Sequence, residues 1–418
     1  MTKKKDNTNL EIIHPVCCGL DIHKKKISAC LITVDSSGKA KQQVKNFGTF
    51  TKNIKQLKEW LLKNNCPIVA MESTGIFWRP VYNVLEKDMN LILVNARHIK
   101  NVPGRKTDIS DSKWLASLLR HGLLKGSFIP PADIREFRDL TRLRKKYTET
   151  LGDFARRVHK LFETANIKIG SVVSDLFGAT GKNLIHLLCD ENAKITKNDV
   201  ANCAKGSLVK KVDELFISIE GYFKEHHRFQ LIGLMETITN LENQISVITS
   251  KLDEIMSPHQ DILDRLDEIP GIDKVAAQRI VSEIGVTLDE FIVMEALACW
   301  GGLCPGNNES AGKRKGGKSP VRKHHFKSIL IEIAWSAIKK KGSYYKAKYY
   351  KLKARRGAKR AIVAIAHRIS KAIYRIIKYG ERYKELGEDY LMKKMTNEAK
   401  VKKLKQQAKK LGFDLVAC

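Results

Sequence analysis

At 418 residues the chain is long enough to bury a sizeable core and to form two or three domains. It carries 76 Lys and Arg against 45 Asp and Glu, a formal charge of +31, which points to a polyanionic partner. No apolar run of 18 residues, signal peptide or lipidation site is visible, which argues against a membrane protein and favours nucleic acid over a lipid surface.

The charge is unevenly placed. Residues 311–380 hold 22 Lys and Arg against one acid, Glu332, so about two thirds of the net charge lies in one sixth of the chain. The nine cysteines (17, 18, 30, 66, 189, 203, 299, 304 and 418) are scattered and form no CxxC pair, the usage expected of reduced thiols in a cytoplasm. Cys299 and Cys304 with His324 and His325 are the only set resembling zinc ligands, and their spacing fits no common finger.

Residues 1–9 are polar and lysine-rich and read as a tail. Residues 16–20 are a short apolar strand leading into Asp21; Ile27–Val34 is a second strand, 36–39 a turn and 43–47 a third strand. Thr51–Lys63 has helical periodicity through Ile54, Leu57 and Leu61. Residues 67–71 form a buried strand ending at Glu72, 79–86 are helical, and 91–94 are another strand. Residues 108–120 predict a helix with Trp114, Leu115, Leu118 and Leu119 facing the core. Hairpins followed by strands alternating with helices give an α/β domain with a mixed sheet flanked by helices.

Four carboxylates stand out by position. Asp21 and Glu72 each lie at the end of an apolar strand, where open sheets place ligands. Asp108 and Asp111 are three apart at a helix start and share a face. Gathered carboxylates are costly unless they share cations. Two Mg²⁺ ions held by acids from two strands and a helix would polarise a phosphodiester from both sides of an in-line displacement. Taken singly, each acid also fits a structural role: Asp108 as a helix cap, Asp111 at the N-terminal dipole, Glu72 on loop amides.

From Asp133 the pattern becomes mostly α. Leu140, Leu143, Tyr147, Leu151, Phe154, Val158 and Leu161 recur every three or four residues, predicting a long amphipathic helix over 133–163. Its exposed side carries Arg142, Arg144, Lys145, Lys146, Arg156 and Arg157. Residues 166–206 are broken into short helical segments. Leu231, Leu234, Ile238, Leu241, Ile245, Ile248, Leu252 and Ile255 then step by three and four alternately. That seam predicts a coiled coil, either against the 133–163 helix or across a dimer. Residues 266–285 read as a helix-hairpin-helix, a module that offers backbone amides to a phosphate. Asp273 stands where the second hairpin glycine is usual, and a purely structural helical turn fits the same residues.

Residues 301–325, GGLCPGNNESAGKRKGGKSPVRKHH, are so dense in Gly, Pro and Asn that no regular element is expected through 305–317. Within them Ser310 is followed by Lys313, Arg314, Lys315, Lys318, Arg322 and Lys323, with no acid after Glu309. A hydroxyl among cations is what a phosphodiester would meet if a serine attacked it, the cations steadying the added negative charge. A basic loop that binds phosphate backbones, its serine a turn residue, fits as well. Ser319 and Ser328 are competing hydroxyls; Ser319 precedes Pro320 and Ser328 falls in a predicted helix, so Ser310 has the freest access. Downstream come an apolar helix over 326–339, then Tyr344, Tyr345, Tyr349 and Tyr350 interleaved with lysines, suited either to base stacking or to helix packing. A basic amphipathic helix covers 361–379, and the lysine-rich end from 393 reads as loosely ordered.

Three stretches, LDIHKKKISACLITVD, AMESTG and NARHIKNVPGRKTDISDSKWLASLL, resemble the DEDD, RuvC-like domain of insertion-sequence transposases of the IS one-ten family. LACWGGLCPGNNESAGKRKGGKSPVRK resembles that family's second signature, which carries its serine nucleophile; here Ser310-Ala-Gly stands where the family often has Ser-Gly-Gly. With the elements above, the resemblance implies a ribonuclease H-like (RuvC-like) DEDD domain over 10–130 and a helical coiled-coil region over 131–258. A helical serine transposase domain over 259–390 and a basic tail over 391–418 follow. It implies a DNA transposase in which Asp21, Glu72, Asp108 and Asp111 hold Mg²⁺ and Ser310 forms a covalent phosphoserine with DNA. Lys313, Arg314, Lys315, Lys318, Arg322 and Lys323 would bind nucleic acid. The implied partners are DNA, a structured guide (bridge) RNA and further copies of the chain in a dimer or tetramer. The residues leave two other readings open: a Mg²⁺-dependent junction-resolving endonuclease with an inert Ser310, and a non-enzymatic nucleic-acid-binding protein.

Overall fold

The computed structural model describes residues 11–35, 39–73, 75–95, 110–190, 195–304, 308–310, 313–316, 324–393, 397–410 and 412–414. The chain divides into two units, Met1–Ala132 and Asp133–Cys418. The first is built on strand β1 (Cys17–Ile22), which pairs antiparallel with β2 (Ile27–Val34), itself antiparallel to β3 (Ala40–Phe47). On its other side β1 pairs in parallel with β4 (Ile68–Glu72), and β4 with β5 (Asn90–Val94), giving a five-stranded mixed sheet in the order β3-β2-β1-β4-β5.

The central position of β1 explains its composition. Cys17, Cys18 and Leu20 are fully buried, so the strand is apolar on both faces instead of alternating. At the edge, β3 is exposed except at Phe47 and carries Lys41 and Lys45, which discourage pairing with another chain. One face of the sheet, through Cys18, Leu20, Val69 and Met71, packs on helices α1 (Thr51–Lys63) and α2 (Trp78–Leu85) by way of Ile54, Leu57, Leu61, Val81 and Leu85. The opposite face, through Cys17, Cys30, Ile32, Ile68 and Ala70, packs on α3 (Asp111–Arg120) at Ala116 and Leu119. Burial pushes the Cys17 thiol up to about 12 and the Cys66 thiol up to about 11, so both act as small hydrophobes.

The second unit is mostly helical. Its helix α4 (Ala132–Thr164) ends in a core shared with α5 (Ala179–Cys189) and the first turns of α6 (Glu225–Met256). Leu231 and Ile238 of the heptad seam lie in this core, beside Leu161 and Phe162 of α4. Farther along the seam, Leu241 and Ile245 are only partly buried. Not all of the predicted basic face of α4 points to solvent. Arg144 is 4% exposed; burial pulls its guanidinium below its ordinary value, and Asp253 opposes that shift. Arg142 makes a two-pronged pair with buried Glu283, both bonds 2.9 Å, and Arg138 donates to the carbonyls of Ser282 and Glu283 at 2.8 and 2.7 Å. Periodicity along α4 does not reveal these acids, because Glu283 arrives from the helix Lys274–Ile284 and Asp253 from α6.

Helices α7 (Gln260–Asp267) and α8 (Lys274–Ile284) form the expected helix-hairpin-helix, but the hairpin is turned inward. Ile269 and Ile272 are buried, and Gly271, at φ +86°, lies against the backbone of Ile333 and Ala337. The structural reading of this turn therefore holds. After α9 (Met294–Trp300), helix α10 (His325–Ala337) packs against α12 (Ala358–Tyr379), and α11 (Tyr344–Arg356) packs on both. Tyr345 and Tyr349 are buried, so helix packing accounts for part of the tyrosine run. Residues Asn397–Lys410 form a further helix, α13, in place of the loosely ordered tail expected there; Val401 and Leu404 among lysines are a weak signal for it. No described helix is long and apolar enough to cross a membrane.

Candidate active site

Two acids meet at one end of the sheet in the first unit. Leu20 of β1 is level with Met71 of β4, and continuing this parallel register by one residue sets Asp21 beside Glu72. Side chains level with one another on adjacent strands share a face, and strands lie about 4.8 Å apart. The face is the one covered by α3, since Cys17, Gly19 and Asp21 alternate with the residues that meet α1. Asp21 is 23% exposed and Glu72 is half-buried, as groups at the rim of a packed face should be.

Gly19 fixes how α3 lies over this face. A Cβ at Gly19 would stand 2.4 Å from both the Ser112 carbonyl oxygen and the Ala116 amide nitrogen, so helix backbone rests directly on strand backbone. The Cys17 thiol donates to the Ala116 carbonyl at 3.6 Å. Going from Ala116 back to Ser112 thus runs from Cys17 towards Asp21, which brings the N-terminus of α3, with Asp111 as its first residue, to the end of the sheet where Asp21 and Glu72 stand. We expect Gly19→Ala to cost roughly 1–3 kcal/mol, as overpacking does, and to displace Asp111. In thermal melts Gly48→Ala is the control, because there the new Cβ meets only the movable Asn53 side chain. Unchanged stability in Gly19→Ala would contradict this packing.

The neighbours of Asp21 are polar. His23 Nε2 lies 3.2 Å from the Asp21 carboxylate. Ser28 is level with Asp21 on β2 and donates to Asn46 Oδ1 on β3 at 2.9 Å, so Asn46, Ser28, Asp21 and Glu72 form a row across the sheet. Sequence reasoning does not single out Ser28, Asn46 or His23; the Asp21-x-His23 alternation is the one available signal for them. Asp108 falls in the stretch 96–109, outside the described residues. Among the described residues no group of three or more His, Cys, Asp or Glu is gathered as a metal cluster. Asp21, Glu72 and Asp111 supply hard oxygen donors, the chemistry that suits Mg²⁺. In donor type these three residues suit a divalent cation.

The serine stretch belongs to the second unit and holds more regular structure than its composition suggests. Asn308–Ser310 (β6) and Lys313–Gly316 (β7) form an antiparallel two-stranded ribbon with Ser310 level with Lys313. Ser310 is therefore the last residue of its strand, at the closed end of the ribbon. The expectation of no regular element is corrected: an Ala-Gly pair between two short polar runs is a hairpin signal, and most of the Gly, Pro and Asn residues flank the ribbon without interrupting it. Lys313, Arg314 and Lys315 lie in β7, whereas Lys318, Arg322 and Lys323 fall outside the described residues.

Comparison with known families agrees with both regions. Residues 18–167 match the model DEDD_Tnp_IS110, described as a transposase, and this span contains Asp21, Glu72, Asp108 and Asp111. Residues 263–351 match a second model, described as "Transposase IS116/IS110/IS902 family", and this span contains Ser310 and the cations after it. The two matches together cover more than half of the chain. No curated protein matches it.

Proposed function

The chain belongs to the IS110 family of transposases, and we propose that this DNA transposase joins a carboxylate metal centre to a serine nucleophile. The observation that carries the metal centre is the meeting of Asp21 and Glu72 on one sheet face with the Asp111 end of α3 laid towards them. The sheet order, an antiparallel meander extended by two parallel strands, supports the ribonuclease H-like reading of this domain. Asp21, Glu72, Asp108 and Asp111 would hold Mg²⁺, which supplies Lewis-acid polarisation of a phosphodiester.

Ser310 is the proposed nucleophile. Its Oγ forms a bond to phosphorus as its proton leaves, the bond from phosphorus to one sugar oxygen breaks, and that leaving oxygen takes up a proton to become a hydroxyl. The covalent phosphoserine keeps the phosphodiester energy for rejoining to a second DNA end, whereas attack by water would only cut. Lys313, Arg314, Lys315, Lys318, Arg322 and Lys323 hold the phosphate backbone beside it. The family resemblance supports a structured guide RNA as the partner that selects the DNA. Removal of divalent metal by a chelator should abolish cleavage of donor DNA and leave DNA binding intact, and Mg²⁺ should restore cleavage. Cleavage that persists in excess chelator would remove the metal centre from this account.

Assembly into a dimer or tetramer is part of the reading, and α6 supports it. Leu231, Ile238, Ile248 and Leu252 are buried within the chain, but Leu241 and Ile245 between them are only partly covered and Val247 is 66% exposed. Leu241→Asp should lower the sedimenting mass while helix content by circular dichroism stays unchanged. A wild-type monomer at micromolar concentration with DNA present would count against this.

A further inference from the structure

In the second unit, Trp335 of α10 and Tyr350 of α11 are 43% and 55% exposed, large rings left in solvent on otherwise well-packed helices. Both touch the buried ring of Tyr349: Trp335 edge-on at 5.9 Å and Tyr350 edge-on at 5.4 Å between centroids. The Lys353 ammonium lies 5.8 Å from the Tyr350 ring centre. The other tyrosines of the run are engaged elsewhere: Tyr345 is buried and stacked on Tyr383, and the Tyr344 hydroxyl accepts from Arg368 Nε at 3.1 Å. An exposed aromatic pair fixed through a shared buried ring is a preorganised surface, and such patches mark interaction sites.

Charge indicates what covers it. Lys339, Lys340, Lys341 and Lys353 are exposed around the end of α10 and along α11. Glu332, the sole acid of 311–380, is taken by Arg279 at 2.7 Å and Lys145 at 3.5 Å. An apolar protein surface would leave these cations unmatched, and an acidic one would leave the rings unmatched. A nucleic acid strand satisfies both, offering flat bases to the rings and phosphates to the lysines. Duplex DNA hides its base faces in the stack, so the bases concerned are unpaired. Resting on the transposase reading, whose substrate is DNA and whose chemistry opens strands, we propose that Trp335 and Tyr350 form a stacking platform for unpaired bases of the DNA being cut or joined.

The test uses the full chain with a labelled single strand of about 20 nucleotides, long enough to span a single-strand groove, its duplex and the RNA of the same sequence. Trp335→Ala and Tyr350→Ala should each weaken single-strand binding roughly tenfold and leave duplex binding unchanged. Trp335→Phe and Tyr350→Phe, which keep a ring, should retain most of the affinity. Single-strand binding should quench tryptophan emission in the wild type and quench it less in Trp335→Phe. Equal weakening of duplex and single strand, no weakening at all, or an effect confined to RNA would overturn the platform. So would a fall in sedimenting mass in Trp335→Ala, which would show that a second copy covers the patch. Cleavage of duplex donor DNA by the wild type, measured in parallel, reports on the transposase reading by itself, because neither ring is placed among its catalytic groups.

Discussion

Asp21→Asn is expected to remove DNA cleavage and leave DNA binding in place. The amide keeps the shape of the carboxylate and loses the charge that would hold a divalent cation, and a metal supplies several kcal/mol of transition-state stabilisation. At about 1.4 kcal/mol per tenfold, the rate should fall by roughly a thousandfold or more. Glu72→Gln should behave alike, since register sets the two acids side by side. Ser28→Ala, level with Asp21 but uncharged, should cost much less. Thermal stability separates this role from a structural one. His23 Nε2 lies 3.2 Å from the Asp21 carboxylate, and an amide at 21 can still accept from it, so Asp21→Asn should melt close to wild type without metal. Loss of cleavage together with a large fall in melting temperature would instead indicate a structural role. Full cleavage by Asp21→Asn would end the assignment of Asp21.

The placement of two of the candidate acids is legible in the sequence because burial and strand ends leave strong local marks. The run from Cys17 to Leu20 is apolar because both faces of β1 are covered, and a carboxylate directly after such a run stands at the rim of the sheet. The same holds for Glu72 after the buried residues Ile68–Met71. What the sequence does not supply is register. Only the pairing of Leu20 with Met71 sets Asp21 beside Glu72, and only the contact at Gly19 shows which face α3 covers.

Farther along the chain, tertiary partners decide against local pattern. Arg144 reads as solvated because α4 presents it among other cations, yet Asp253 and Asp273, distant in sequence, share its buried surroundings. The seam of α6 reads as one continuous stripe, although Leu231, Ile238, Ile248 and Leu252 are buried within the chain while Leu241 and Ile245 between them are only partly covered. The ribbon around Ser310 is hidden because breaker residues dominate the composition of its surroundings, and two short strands of three and four residues contribute little periodicity.

The central claim is that Ser310 joins the protein to DNA, and a covalent adduct tests it most directly. A serine hydroxyl is a weak nucleophile at neutral pH and needs activation and a held phosphate. In the two-stranded ribbon the backbone of Ser310 is level with that of Lys313. The measurement is to incubate the protein with nicked donor DNA and Mg²⁺, denature it, and look for DNA that migrates with the polypeptide. The account predicts an adduct in the wild type and in Ser319→Ala, and none in Ser310→Ala, which should still bind DNA. An undiminished adduct in Ser310→Ala would contradict it and move the nucleophile to another residue.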